Sequence, residues 1–128
     1  MDIDWSREFD RQLDRLEADS SDRGKQVFWL LTLMLNQLRE LDGTPVEDTA
    51  MIKRVRQSRS YTVWRVSHPY REGIALRLIC WFPPDQDRVV VALFAGEKAS
   101  MGVVFYDSVG TRADQVIEGW IADTEEER

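Results

Sequence analysis

A chain of 128 residues with 43% hydrophobic, 31% charged and 10% aromatic side chains has the makeup of one globular domain, and excludes a disordered, collagen-like or low-complexity polypeptide. A single cysteine, Cys80, lying in an apolar run, excludes an intramolecular disulfide framework and a cysteine-cluster metal site. The N-terminal MDIDWSREFDRQ carries both signs of charge from its second residue, and no apolar run reaches the roughly 18 residues of a membrane span, so the expected setting is the cytoplasm.

In chain order, Trp5, Phe9, Leu13 and Leu16 are spaced four, four and three apart, one stripe of a helix over about 4–18. The polar break Asp19-Ser20-Ser21-Asp22 supplies caps for a second helix over about 22–41, whose Val27, Leu30, Leu31, Met34, Leu38 and Leu41 repeat at helical spacing. Asp42-Gly43-Thr44-Pro45 ends it, because glycine tolerates the left-handed closing conformation and proline cannot continue a helix. From Met51 the period becomes alternating. Runs rich in Val, Ile, Trp and Tyr predict four strands at about 51–57, 61–67, 74–82 and 88–95, joined by turns too short for crossover helices and therefore paired mostly antiparallel. The run Val89 to Phe94 is apolar at every position, as a central strand covered on both faces requires. A last helix over about 104–123 buries Val109, Ala113, Val116, Ile117, Trp120 and Ile121. Two helices, a four-stranded twisted sheet and a C-terminal helix make one α+β domain over residues 1–128.

The net charge of −6 is unevenly placed. Residues 1–50 hold six Lys and Arg against twelve Asp and Glu, residues 51–100 hold nine against four, and residues 101–128 hold two against seven. The whole-chain figure argues against a phosphate-binding protein. The basic middle block, framed by acidic ends, points instead to an anion-binding centre on the strands.

Three strings in that block and after it carry a resemblance. MIKRV (51–55) followed by YTVWRV (61–66), GIALRLICWF (73–82), and VVVALFAGEKASMGVVFYDSV (89–109) resemble, in order and spacing over about residues 40–120, the RelE/HigB superfamily of toxins from type II toxin–antitoxin modules, in particular its phage-derived HigB-like branch. The resemblance implies a RelE-like fold and a metal-independent endoribonuclease that cuts mRNA, often on the ribosome, inhibits translation, needs no cofactor and is silenced by an antitoxin protein. Such chemistry needs a deprotonated 2′-hydroxyl, stabilisation of the phosphorane charge and a proton for the departing 5′-oxygen. One histidine rules out a two-histidine ribonuclease arrangement, leaving Lys, Arg, Tyr or that histidine for acid and base.

On this resemblance the catalytic candidates are Arg65, which closes the aromatic strand, Arg77, mid-strand in an apolar run, Lys98, after the last strand, and Tyr106, near the last helix. A guanidinium at either strand position must reach an anion or water, and an acidic flank such as Glu97 or Asp107 is the alternative partner. Candidates for RNA contact are Lys53, Arg56 and His68. Strand alternation puts Lys53 on one face and Arg54 and Arg56 on the other, so the three are expected not to share a site; basic residues there also protect a sheet edge. His68 has the right intrinsic pKa for acid–base work. Glu97, beside Lys98 where many relatives have a second basic residue, is expected to repel substrate phosphate. Trp64, Trp81 and the second helix's Leu31, Met34 and Leu38 are expected core residues. The competing reading keeps the fold without the chemistry: a non-catalytic, phage-derived protein-binding domain. The two separate on whether Arg65, Arg77 and Lys98 lie within a few ångströms of one another in one groove.

Overall fold

The computed structural model describes residues 1–58, 60–67 and 73–126, with side chains for all of these except 98–107. Among the described residues the order is β1 (Asp2–Trp5), α1 (Arg7–Ala18), α2 (Asp22–Arg39), β2 (Ile52–Arg54), β3 (Val63–Ser67), β4 (Leu76–Trp81), β5 (Val89–Glu97) and α3 (Lys98–Glu126). The α+β class stands, with two helices ahead of the antiparallel strands and one behind them. The sheet differs from the expectation: it has five strands in the order β1-β5-β4-β3-β2, with β1 parallel to β5 and the other pairs antiparallel.

The additional strand explains why the first helix begins at Arg7 rather than near residue 4. Asp2-Ile3-Asp4-Trp5 alternates polar and apolar residues, a period-2 pattern that the helical spacing of Trp5 and Phe9 masks. Ser6 then stops the strand and starts the helix. Its hydroxyl accepts from the Phe9 N–H at 3.0 Å as an N-cap and donates to the Leu93 carbonyl at 2.6 Å, tying the corner to β5. Beyond Trp5 the outer edge of β5 is closed by Gln12, whose amide donates to the Ala95 carbonyl at 2.9 Å and accepts from its N–H at 2.8 Å.

Helices cover the sheet on both sides. α1 and α2 bury Phe9, Leu30, Leu31, Met34 and Leu38 against Trp64, Val66, Leu76, Leu78, Cys80, Val90 and Ala92. α3 buries Val109, Ala113 and Ile117 against Val63, Ile79, Trp81, Val91, Leu93 and Phe94. Trp64, Trp81, Leu31, Met34 and Leu38 are therefore core as expected, with Trp64 in one layer and Trp81 in the other, whereas Val116, Trp120 and Ile121 of the last helix are only partly buried. Ile79 pairs with Phe94 but Cys80 pairs with Ala92, so Leu93 is an inserted residue and both Leu93 and Phe94 turn toward α3. As expected, β5 is a central strand, lying between β1 and β4 with Val90–Phe94 buried.

α3 lies close to the sheet's β2–β3 end because Gly110 has no side chain there: a Cβ would fall 2.3 Å from the Gln57 carbonyl oxygen. Toward its C-terminus it is held to β1 and α1 by Trp120 donating to Asp4 at 3.0 Å and by Arg7 pairing with Asp123 at 2.9 Å. At the same flank Arg112 pairs with Glu8 and lies 4.0 Å from the centroid of the Phe94 ring. No helix among the described residues is long and apolar enough to cross a membrane.

Candidate functional site: a cationic cleft on the sheet

Sheet register decides which basic residues meet. Lys53 pairs with Arg65, Arg65 with Ile79, and Ser67 with Arg77. Paired residues point to the same face, as do residues two apart on a strand, so Lys53, Arg65 and Arg77 all leave the sheet on the α3 side. There they line a cleft of about 250 Å3, floored by Ile79 and walled by Val109 of α3 and by the backbone turn at Gln57.

The turn after β2 also borders this cleft. The strand ends at Arg54, three residues earlier than expected, and the chain turns at Arg56-Gln57. Arg56 lies in that turn and, with Arg54, is among the residues lining the cleft, while Arg54 keeps the strand face opposite to Lys53, as expected, paired with Trp64 of the α1–α2 layer. The preceding loop covers the outer edge of β2. The Asp48 carboxylate accepts from the Arg54 N–H at 2.9 Å, Thr49 Oγ1 accepts from the Ile52 N–H at 3.1 Å, and the Thr49 N–H donates to the Ile52 carbonyl at 2.8 Å. These short polar side chains occupy the outer edge of β2, which closes it to further strands.

Five cations and one carboxylate therefore line the cleft, and the carboxylate is committed: Asp48 holds the β2 backbone with one oxygen and lies 3.6 Å from Arg56 with the other. Arg77 is the least satisfied. Its side chain is partly buried, one terminal nitrogen donates at 3.2 Å to the Leu76 carbonyl, and its Nε is buried with no partner among the described residues. A buried donor without an acceptor costs about 1–3 kcal/mol, and more when it is charged. An anion's oxygens are the chemical complement of that arrangement, and a one-sign cleft with low-dielectric walls concentrates the field that attracts one. Opposite Arg77 on β5 stands Gly96, which adds no side chain over the guanidinium.

Glu97 does not face this cleft. It pairs with Leu76, on the α1–α2 side of the sheet, and its carboxylate receives Arg23 at 2.8 Å. The expected repulsion beside the site is thus absent, and Glu97 is removed as a partner for Arg65 or Arg77. The side chains of Lys98, Tyr106 and Asp107 lie outside the described residues, although their backbone belongs to α3; His68 lies outside them altogether. Sequence reasoning missed Asp48 and Gln57. The signal was present at Asp48-Thr49, a pair of turn-forming side chains just ahead of a short edge strand. Among the described residues no group of three or more His, Cys, Asp or Glu is placed to hold a metal ion. Comparison of the chain with protein-family models, with curated proteins and with solved structures finds no match.

Proposed function

We propose that this protein is an endoribonuclease of the RelE/HigB type, the toxin of a type II toxin–antitoxin pair, acting on mRNA in the cytoplasm without metal or cofactor and restrained by an antitoxin protein. The observation that carries the reading is the convergence of Lys53, Arg65 and Arg77, from three neighbouring strands, on one cleft that Arg54 and Arg56 also line. In the reaction a ribose 2′-oxygen attacks the adjacent phosphorus and the 5′-oxygen leaves with a proton, giving a 2′,3′-cyclic phosphate and a 5′-hydroxyl end. Arg65 and Arg77 take the phosphate oxygens and stabilise the added charge of the phosphorane, where planar two-point donors suit best. Lys53 and Arg56 hold the flanking backbone. Lys98, Tyr106 and His68 enter through the family resemblance, the first two as catalytic groups and the third as an RNA contact.

The test is a cell-free translation reaction programmed with a defined mRNA. Purified protein should arrest translation and yield fragments ending in 5′-hydroxyl groups, and Arg65→Ala should leave the message whole. Intact mRNA at high protein concentration, with Arg65→Ala indistinguishable from the parent, would sink the enzyme reading and leave the non-catalytic binding domain.

A further inference from the structure

The same face of the sheet ends, away from the basic residues, in a second cleft of about 520 Å3 with different chemistry. Tyr61, Trp81 and Trp120 form an edge-to-face ladder there, with centroids 5.6 Å and 5.7 Å apart and interplanar angles of 73° and 78°; Phe82 also lines the cleft. Trp81 is the buried centre of the ladder, whereas Tyr61 and Trp120 at its ends are partly exposed, and the face of an aromatic ring is its electron-rich part. Hydrogen bonding fixes the position of the outermost ring, since the Trp120 indole N–H donates to Asp4. At the mouth stand Asp85 and Glu125, both exposed and neither in an ion pair with a described residue. No Lys, Arg or His among the described residues lines the cleft.

From this combination we infer that the aromatic cleft is a docking site for an arginine side chain presented by a partner protein. Charge complementarity selects the occupant. Two exposed carboxylates with no ion pair among the described residues, lining the same cleft as the partly exposed Tyr61 and Trp120 rings, attract a cation and repel a phosphate backbone. Arginine fits better than lysine, because its guanidinium is planar, weakly hydrated and able to lie on a ring while donating to carboxylates. The inference does not depend on the ribonuclease reading, since it uses none of the basic residues of the other cleft.

The probe is N-acetyl-L-arginine amide, compared with the neutral isostere N-acetyl-L-citrulline amide and titrated into the full-length protein while the tryptophan indole N–H resonances are followed. The arginine compound should shift the Trp81 and Trp120 signals saturably, and bind at least about fivefold more tightly than the citrulline compound. Combining Asp85→Asn with Glu125→Gln, two exposed changes that leave the core alone, should erase that preference with the spectrum otherwise unchanged. Equal affinity for the two compounds, or no saturable shift, overturns the proposal. So does a shift of the same two resonances by an oligoribonucleotide alone, which assigns the cleft to a nucleobase, or by raising protein concentration alone, which assigns it to a second copy of the chain.

Discussion

Arg77, Ile79 and Trp81 leave one face of β4 two residues apart, and the row passes from cation through aliphatic to aromatic within about 13 Å of strand. Both ends lie under α3, Val109 at the basic end and Trp120 at the aromatic end, so a single helix packs on surfaces of opposite character. At the aromatic end burial is used for stability: Trp81 is 6% exposed and belongs to the α3-side core. At the basic end burial works against it, because the partly buried Arg77 holds its Nε out of water with no partner among the described residues. A group left in that state is expected where it serves a ligand, and the proposed site at the basic end rests on that contrast.

The contrast breaks most visibly if the two ends are truncated in turn. Arg77→Ala should lower mRNA cleavage roughly a hundredfold or more, the scale of losing one donor to a developing oxyanion. Its melting temperature should hold or rise slightly, since the orphaned donor goes with the side chain. Parallel loss of activity and stability in this variant would make Arg77 a structural residue. Trp81→Ala should do the reverse, costing about 3–5 kcal/mol in denaturant unfolding through the cavity it leaves, with cleavage per folded molecule nearly unchanged.

A smaller effect should appear where α3 meets the turn that walls the basic cleft. Gly110→Ala puts a methyl group 2.3 Å from the Gln57 oxygen and 2.8 Å from the Ser58 nitrogen, both backbone atoms. Moving the helix aside should cost about 1–3 kcal/mol, and the Arg77 end should lose RNA affinity before the aromatic end changes its tryptophan fluorescence. Smallest is the change expected at Asp19, remote from both clefts. The Ser21 side chain and then its backbone N–H hold the Asp19 carboxyl below the ordinary value. A lowered folded-state pKa stabilises the protein above the unfolded value, near pH 4, and that part is lost as pH falls through the folded value. Asp19→Asn should slightly flatten the acid limb of a melting-temperature profile and leave RNA binding at neutral pH as it was.

The row on β4 was largely legible in the sequence. GIALRLICWF is a short, almost wholly apolar run between turn signals, which places Arg77 and Trp81 in a strand, and the basic middle block falls on the strands of the sheet. Which basic residues meet was less so. Register makes Lys53 and Arg65 neighbours, and the Asp48 and Thr49 side chains that cover the outer edge of β2 come from outside the strand. Alternation separates Lys53 from Arg54, as their partners Arg65 and Trp64 on opposite faces show, but it does not foresee that Arg56 falls in a turn beyond the strand, at the cleft. β1 was hidden by a coincidence of spacing, since Trp5 lies four residues before Phe9 but on the strand side of Ser6. Glu97 was misjudged through its sequence neighbour Lys98; its cross-strand partner Leu76 determines its face. The aromatic cleft could not be read from one segment, because Tyr61, Trp81 and Trp120 come from a turn, a strand and the last helix.

The central claim, that phosphate is held at the Arg77 end and not at the Trp81 end, is most directly tested by the salt dependence of oligoribonucleotide binding. Single-stranded RNA loses about 0.7 in the log–log slope for each phosphate contact removed. Arg65→Ala and Arg77→Ala together should weaken binding and flatten the slope by about 1.4, two contacts' worth, whereas Asp85→Asn with Glu125→Gln should leave it unchanged. A slope unaffected by the loss of both arginines would contradict the account.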